Sequence, residues 1–531
     1  MRRFPVNALV IASAVVPLVL AADVVPAASS PAGSLPPELL TPSDVSAVGA
    51  DAEIPGVAVD ANGDTVVIWA QAKGPDWTIE AAYRPAAGKW TAPQALSAPA
   101  KHVASPQVSV AGDDFVAAWA RFDGKNLIAQ TAARDPKTGA WSTPTSLSPK
   151  GKDAQVPQIA VNAGGDAVSV WASVSLPGWT IQAAYRPAGR SWQRAVSLDP
   201  PQADTEAPDV VIDSTGVATA VWGSSSGSGW RVKAASRQSD GTWTKALTLS
   251  GPDPNPPPPQ LALEGSGDVT AVWSRSVGSG SILELSRKSA ATGTWSPAQR
   301  LSTGAANAEA PRIATDARGD GVIVWAGSKQ SGLTVMAAVR RPGKPWGKPT
   351  ALLSSGSGPV APQVALDGEG AALVVWTQSV GGFSRVQAVR VAATSVYWSG
   401  ARNLSKPGSD ALTAQVALDP GGDGAVAWAR YDGRSFVIQC AGFDGSGPTL
   451  DRLSVPAAGV VGRRLTFSVS PRDVWSPVSS VRWSFGDGGV GSGKLISHAY
   501  AQPGRYAAQV TATDSSGRAR SLRRMVTISA G

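Results

Sequence analysis

The stretch Pro55-Gly56-Val57-Ala58-Val59-Asp60-Ala61-Asn62-Gly63-Asp64-Thr65-Val66-Val67-Ile68-Trp69 decides how the whole chain is read. A short apolar run follows a proline, a turn of Asp, Asn and Gly comes next, and a second run, apolar at successive positions, ends in tryptophan. Glycine supplies the positive φ that a tight hairpin needs, and Asp or Asn caps the turn. A run without polar alternation is a strand covered on both faces. The pattern returns seven more times. Trp69, Trp119, Trp171, Trp222, Trp273, Trp325, Trp376 and Trp428 recur every 50 to 52 residues. A second series, Trp90, Trp141, Trp192, Trp243, Trp295, Trp346 and Trp398, keeps the same period. Pro55, Pro106, Pro157, Pro208, Pro259, Pro311 and Pro362 keep it too, with Ala414 in the eighth place. Three markers in phase define eight copies of one unit.

Each copy reads as four short strands. The third is typified by Ile79-Glu80-Ala81-Ala82-Tyr83-Arg84, and the fourth closes on a Leu-Ser pair such as Leu96-Ser97. Four-stranded units of about 50 residues with aromatic markers are the signature of a β-propeller, in which each sheet packs face to face with the next. A solenoid or a row of separate sheets is the alternative. Closure is favoured by the chain ends. The eighth copy lacks a fourth strand, and Glu38-Leu39-Leu40-Thr41, ahead of the first copy, reads as an orphan strand that completes it. Closure also removes an edge prone to aggregation. The turn Ser239-Asp240-Gly241-Thr242-Trp243 resembles the Asp-box of sialidase-type propellers. Other copies, such as Ala87-Gly88-Lys89-Trp90, lack its Asp, and the resemblance implies a structural turn without carrying that family's active site.

The chain has 531 residues, more than one hydrophobic core organises. Its ends differ from its middle. Arg2 and Arg3, the apolar run Ala8 to Leu20, and the small residues Ala21 and Ala22 have the anatomy of a secretory signal peptide over residues 1–22. That run is shorter than the ~20 residues needed to span a bilayer. No later stretch is longer or more apolar, so the expectation is a secreted or cell-surface protein, without a membrane span and monomeric. Two His and one Cys exclude zinc clusters, disulfide frameworks and Ser-His-Asp chemistry. No metal or cofactor is expected. The repeats are assigned to residues 23–446.

The period stops after Gly447. Trp483-Ser484-Phe485-Gly486-Asp487-Gly488, His498-Ala499-Tyr500, Gly504-Arg505-Tyr506 and Asp514-Ser515-Ser516-Gly517 strongly resemble the polycystic kidney disease (PKD) domain, over residues 447–531. The resemblance implies an immunoglobulin-like β-sandwich with Trp483 and Tyr506 in its core, a spacer or matrix-binding unit that is rarely catalytic. This segment holds 11 Lys and Arg against 4 Asp, whereas the repeats are close to neutral. Arg463, Arg464, Arg518, Arg520, Arg523 and Arg524 suit anionic cell-wall polymers or acidic polysaccharide, or a merely solvated face. The interleaved aromatics of a nucleic-acid surface are missing.

Candidate functional residues are few. Glu53, Glu206 and Glu309 each stand two residues before a repeat proline, in the connections between copies, and are weak candidates for carboxylate catalysis. Arg84, Arg134, Arg186, Arg237, Arg287, Arg340 and Arg390 recur at the end of the third strand, which suits a structural pairing with a turn Asp better than a catalytic trio. Trp77, Trp179 and Trp230 sit outside both periodic series, between the second and third strands of copies one, three and four. Present in some copies only, they are the candidate ligand platforms. The leading expectation is non-catalytic recognition of polysaccharide, cell-wall polymer or extracellular protein on one rim of the ring. A polysaccharide-cleaving enzyme such as a glycoside hydrolase, and a purely structural surface module, are the alternatives.

Overall fold

The segment around Trp69 forms the first two strands of an antiparallel sheet made of Ala52–Val59, Thr65–Lys73, Asp76–Arg84 and Gln94–Ala95. The protein is seen here as a computed structural model, which describes residues 38–531 except 176–177, 201–203, 226, 228, 256–257, 303–306, 330–331, 354–356, 394 and 396. The leader assigned to residues 1–22 lies outside the described residues. Six more sheets repeat the four-strand order, and an eighth is built on Ala411–Leu418, Gly424–Tyr431 and Phe436–Asp444. Among the described residues there is no helix, and the fold is an all-β propeller followed by a two-sheet sandwich.

The second strands are covered on both faces, as their composition requires. The Trp69 series is 0 to 2% exposed in every copy. Several of these indoles find buried acceptors: Trp69 Nε1 donates to Gln71 Oε1 at 2.9 Å and Trp222 Nε1 to Asp199 Oδ2 at 3.1 Å. Six of the seven repeat prolines follow a residue in the left-handed region, at Ile54, Ser105, Val156, Ala207, Ala310 and Ala361, whereas Pro259 follows another proline. A bulge in the first strand lies at the same point. Proline there marks a bend that widens the twist of the innermost strand.

The Leu-Ser pair acts as a clip rather than as strand. The fourth strand proper is only two residues long, and the following serine accepts the third strand's next amide proton, as Ser97 Oγ does from Ile79 N at 2.9 Å. Ser148, Ser250, Ser302 and Ser405 repeat the bond. In the eighth sheet this part is played from the N-terminus. Glu38–Leu39 and Ser43–Asp44 both pair with Phe436–Asp444, and Ser46 Oγ accepts from Ile438 N at 2.9 Å. The orphan strand read at Glu38 to Thr41 thus extends to Ser46, with Ser43–Asp44 in the register of Gln94–Ala95. Sheets one and eight share one core cluster that includes Val67, Trp69, Ala427 and Cys440, so the ring is closed.

Neighbouring sheets are joined at two positions of the third strand, and each joint has its own chemistry. Arg134 stacks 3.5 Å over Tyr83 of the preceding sheet, and Arg237 3.6 Å over Tyr185. Arg287 and Arg340 meet on Glu264. Val339 and Val391 belong to one apolar cluster. The recurring arginines therefore serve structure, with one correction to the sequence alignment. Thr65 pairs with Arg84 and Gly321 with Arg340, but the equivalent partners in sheets five and seven are Lys288 and Val391. Arg287 and Arg390 lie one residue earlier, on the opposite face, because strand register and not sequence spacing fixes the face.

The last joint borrows its aromatic ring from the C-terminal domain. Gly442 holds the position of Tyr83 and Tyr185 in the eighth sheet. A Cβ there would come within 2.5 Å of the Trp475 ring. Arg84 stacks 3.6 Å over that indole, and its Nη2 donates to Val474 O at 3.0 Å. The sandwich pairs Thr449–Ser454, Leu465–Arg472 and Leu495–His498 in one sheet against a five-stranded sheet. Trp483 is 2% exposed in its core, while Tyr506 is only half-buried and stacks on Tyr500.

Candidate functional site

A groove runs between sheets five and six with a cavity volume of about 1350 Å³. Four segments build it: the turns at Glu264–Asp268 and Ala317–Gly319, the fourth strand at Gln299–Arg300, and the loop Gly343–Pro349. Leu285, Trp325, Met336 and Trp346 supply apolar wall, and Asn307, Ser302 and Ser328 supply polar groups. Its two carboxylates are already engaged. Glu264 accepts from Arg287 Nη2 at 2.7 Å and pairs with Arg340 at 2.8 Å, and Asp268 accepts from Arg287 at 2.6 Å. In spite of burial, the two arginines hold the Glu264 carboxyl below its usual range, and the Ala290 amide, the Ser266 hydroxyl and Arg287 do the same for Asp268. Neither is free to act as a general acid at neutral pH.

The sequence candidates fall elsewhere. Glu53, Glu206 and Glu309 lie inside the first strands of sheets one, four and six, beside the bulges, and not in the connections between sheets. No two are on adjacent sheets. Burial, with Asp51 beside Glu53 and Asp204 beside Glu206, raises both carboxyls. Trp77, Trp179 and Trp230 stand at the starts of third strands rather than at loop tips, pairing with Ala72, Val174 and Ser225. All three are half-buried, and Trp77 and Trp179 pack on the cores of their sheets. They are spread over sheets one, three and four. His102 is exposed before the second copy. His498 stacks on Phe485 at 4.0 Å and meets Asp487 Oδ2 at 2.7 Å, a structural setting. Burial pushes the Cys440 thiol up to about 12, so no thiolate is available.

One acidic cluster escaped the sequence reading. Asp444, Asp473 and Asp514 are buried where the eighth sheet meets the sandwich, with one oxygen from each within 4.8 Å of the others. Three carboxylates are hard donors of the kind calcium takes, a counter-observation to the expectation of no metal ligands. Arg518 Nη1 already lies 3.1 Å from Asp444 Oδ1, and Asp473 is raised to about 6 by burial. The acids are 29 and 41 residues apart in sequence, and only the docking of sandwich on propeller assembles them.

Buried turn carboxyls give the ring a pH dependence. Burial raises Asp60 to about 6, and burial with neighbouring Asp423 raises Asp419 to about 7. Both folded values lie above the unfolded value near 4. The native state then binds the extra protons, and stability rises as pH falls from about 7.5 towards 4, levelling below that. Asp419→Asn keeps the acceptor for Gly422 N and Asp423 N and removes the charge. The variant is expected to melt a few degrees above the parent at pH 7.5 and level with it at pH 4. Equal melting at both pH values would mean that the carboxyl is not raised.

No curated protein matches the chain. Among solved structures, the polysaccharide lyase Uly1 is similar at 8% identity over 64% of this chain and 89% of its own, with a TM-score of 0.42. A mutant of the NanB sialidase from Streptococcus pneumoniae is similar at 10% identity over 76% of this chain and 94% of its own, TM-score 0.37. The PKD1 domain of Vibrio anguillarum Epp is similar at 22% identity over 16% of this chain and 98% of its own, TM-score 0.14. Residues 446–529 match the family model of the PKD domain, and the C-terminal sandwich, with its Trp483, His498 and Tyr500 core, is a PKD domain.

Proposed function

We propose that the chain is an exported, non-catalytic module that recognises polysaccharide through its propeller. The groove between sheets five and six carries the reading: it is concave, walled by Trp346 and Met336, and its only acids are held in ion pairs. A flat indole beside hydroxyl and amide groups suits a sugar, whose faces are apolar and whose rim is polar. Trp77, Trp179 and Trp230, half-exposed on other sheets, are proposed as secondary contacts. The test is the fraction of mature protein retained on insoluble polysaccharides and bacterial cell walls, with release of soluble sugar measured in parallel. Retention that falls in Trp346→Ala, with no sugar released, is the expected result. Absence of retention on every polymer would overturn the reading.

A hydrolytic alternative draws on the raised carboxyls of Glu53 and Glu206, since a raised pKa is what a general acid needs. Sugar release abolished by Glu53→Ala or Glu206→Ala would establish it. Release untouched by these variants and by Glu309→Ala would remove it.

A further inference from the structure

We infer that the groove between sheets five and six takes a polyanionic glycan, one bearing carboxylate or sulfate groups along its length; this rests on the polysaccharide-binding reading above. Six basic side chains but only two acidic ones line the groove, in a propeller that is close to neutral overall. The two acids do not offset the basic excess towards a ligand, because they are consumed internally by Arg287 and Arg340. Arg318 is likewise engaged, with Asp320 and Glu369. Arg300, Lys344 and Lys348 are different. All three are exposed, and among the described residues none has an ion-pair partner.

The placement of these three matters as much as their number. Arg300 ends the short fourth strand of sheet five, while Lys344 and Lys348 bracket Trp346 on the loop of sheet six. A chain lying in the groove would have cations on both walls and an indole between two of them. Charges that face one another across a cleft with apolar walls attract a linear polyanion more strongly than the same charges spread over a convex surface. Arginine and lysine serve either anion, as bidentate partner and as point charge.

The experiment is affinity electrophoresis of the full chain through gels containing dextran sulfate, polygalacturonate or neutral dextran. The parent is compared with an Arg300→Gln/Lys344→Gln/Lys348→Gln variant, whose exposed side chains can be removed without disturbing the core, as its unchanged melting temperature would verify. A control variant, Arg505→Gln/Arg523→Gln, removes exposed charge from the PKD domain. Retardation by one or both anionic polymers, weakened about tenfold in the groove variant and retained in the control, is the expected outcome. The two anionic gels separate sulfate from carboxylate as the preferred group. Retardation that the groove variant keeps, or that only the control loses, would overturn the proposal by placing binding elsewhere. Neutral dextran held as tightly as the charged polymers, and released by Trp346→Ala, would overturn the anionic class while leaving polysaccharide recognition intact. No retardation by these gels and no retention on any insoluble polymer would end both.

Discussion

Trp475→Ala is expected to lower the stability of the whole chain by about 3 kcal/mol, towards the lower end of the cost of deleting a large buried aromatic. The reason is where the ring lies. Its indole rests on Gly442 and beneath Arg84, closing the joint between sheets eight and one. Loss of the ring leaves a void against Gly442 and strips Arg84 of its stacking partner, in a guanidinium whose burial already disfavours its charge. Chemical denaturation followed by tryptophan emission measures the change, and Trp475→Phe is expected to recover much of it. Two separate transitions in the parent, with only the later one moved by Trp475→Ala, would instead mean that the PKD domain and the ring unfold independently.

Removal of residues 1–46 should have a larger effect. The deletion takes away buried Val45, both short strands that pair with Phe436–Asp444, and the serine clip on Ile438. Arg430 and Gln439 also lose Asp44. One buried aliphatic side chain and several hydrogen bonds amount to roughly 4 kcal/mol. The bared strand is then an open edge of the kind that recruits other chains. The truncated protein should run as aggregates on size exclusion and melt well below the parent, and a synthetic peptide of residues 36–47 should restore part of the loss. Truncation that leaves both the elution volume and the melting temperature unchanged would show that the N-terminal strands do not hold the ring.

The repeat was legible because its strongest signals are local. Buried second strands have to be apolar at every position, and tight turns have to contain glycine, so Trp69 and Gly63 announce their roles wherever the unit recurs. The PKD domain was legible through a dense motif around Trp483. Other features left weaker traces. A fourth strand of two residues has no periodicity to detect, so Glu38 to Thr41 shows in the sequence while its continuation at Ser43–Asp44 does not. Copies differ in length by one or two residues, so Arg287 and Arg390, 14 residues beyond Trp273 and Trp376, pass as equivalents of Arg84, 15 beyond Trp69, until the pairing register separates them. A proline two residues on gives Glu53 the look of a connection, yet the bulge keeps it within a strand. The groove draws on four segments of two copies, and the Asp444, Asp473 and Asp514 cluster on three distant ones. Proximity of that kind is a product of packing. The one hint in the sequence was subtractive: Gly442 stands where two other copies have tyrosine, and a missing ring in a close-packed joint implies a donor from elsewhere.

The differing joints between sheets act as an address system. A stack of identical units could close with seven members or nine, or trade places along the ring, at little cost. Here an arginine from sheet two finds an aromatic ring on sheet one, whereas sheets six and seven meet valine to valine. Two sheets exchanged in the gene would set guanidinium against valine and leave tyrosine without its cation. Order around the circle is thereby written into the side chains, and so is the count, since the final seat admits a ring that only the residues beyond the last copy can bring.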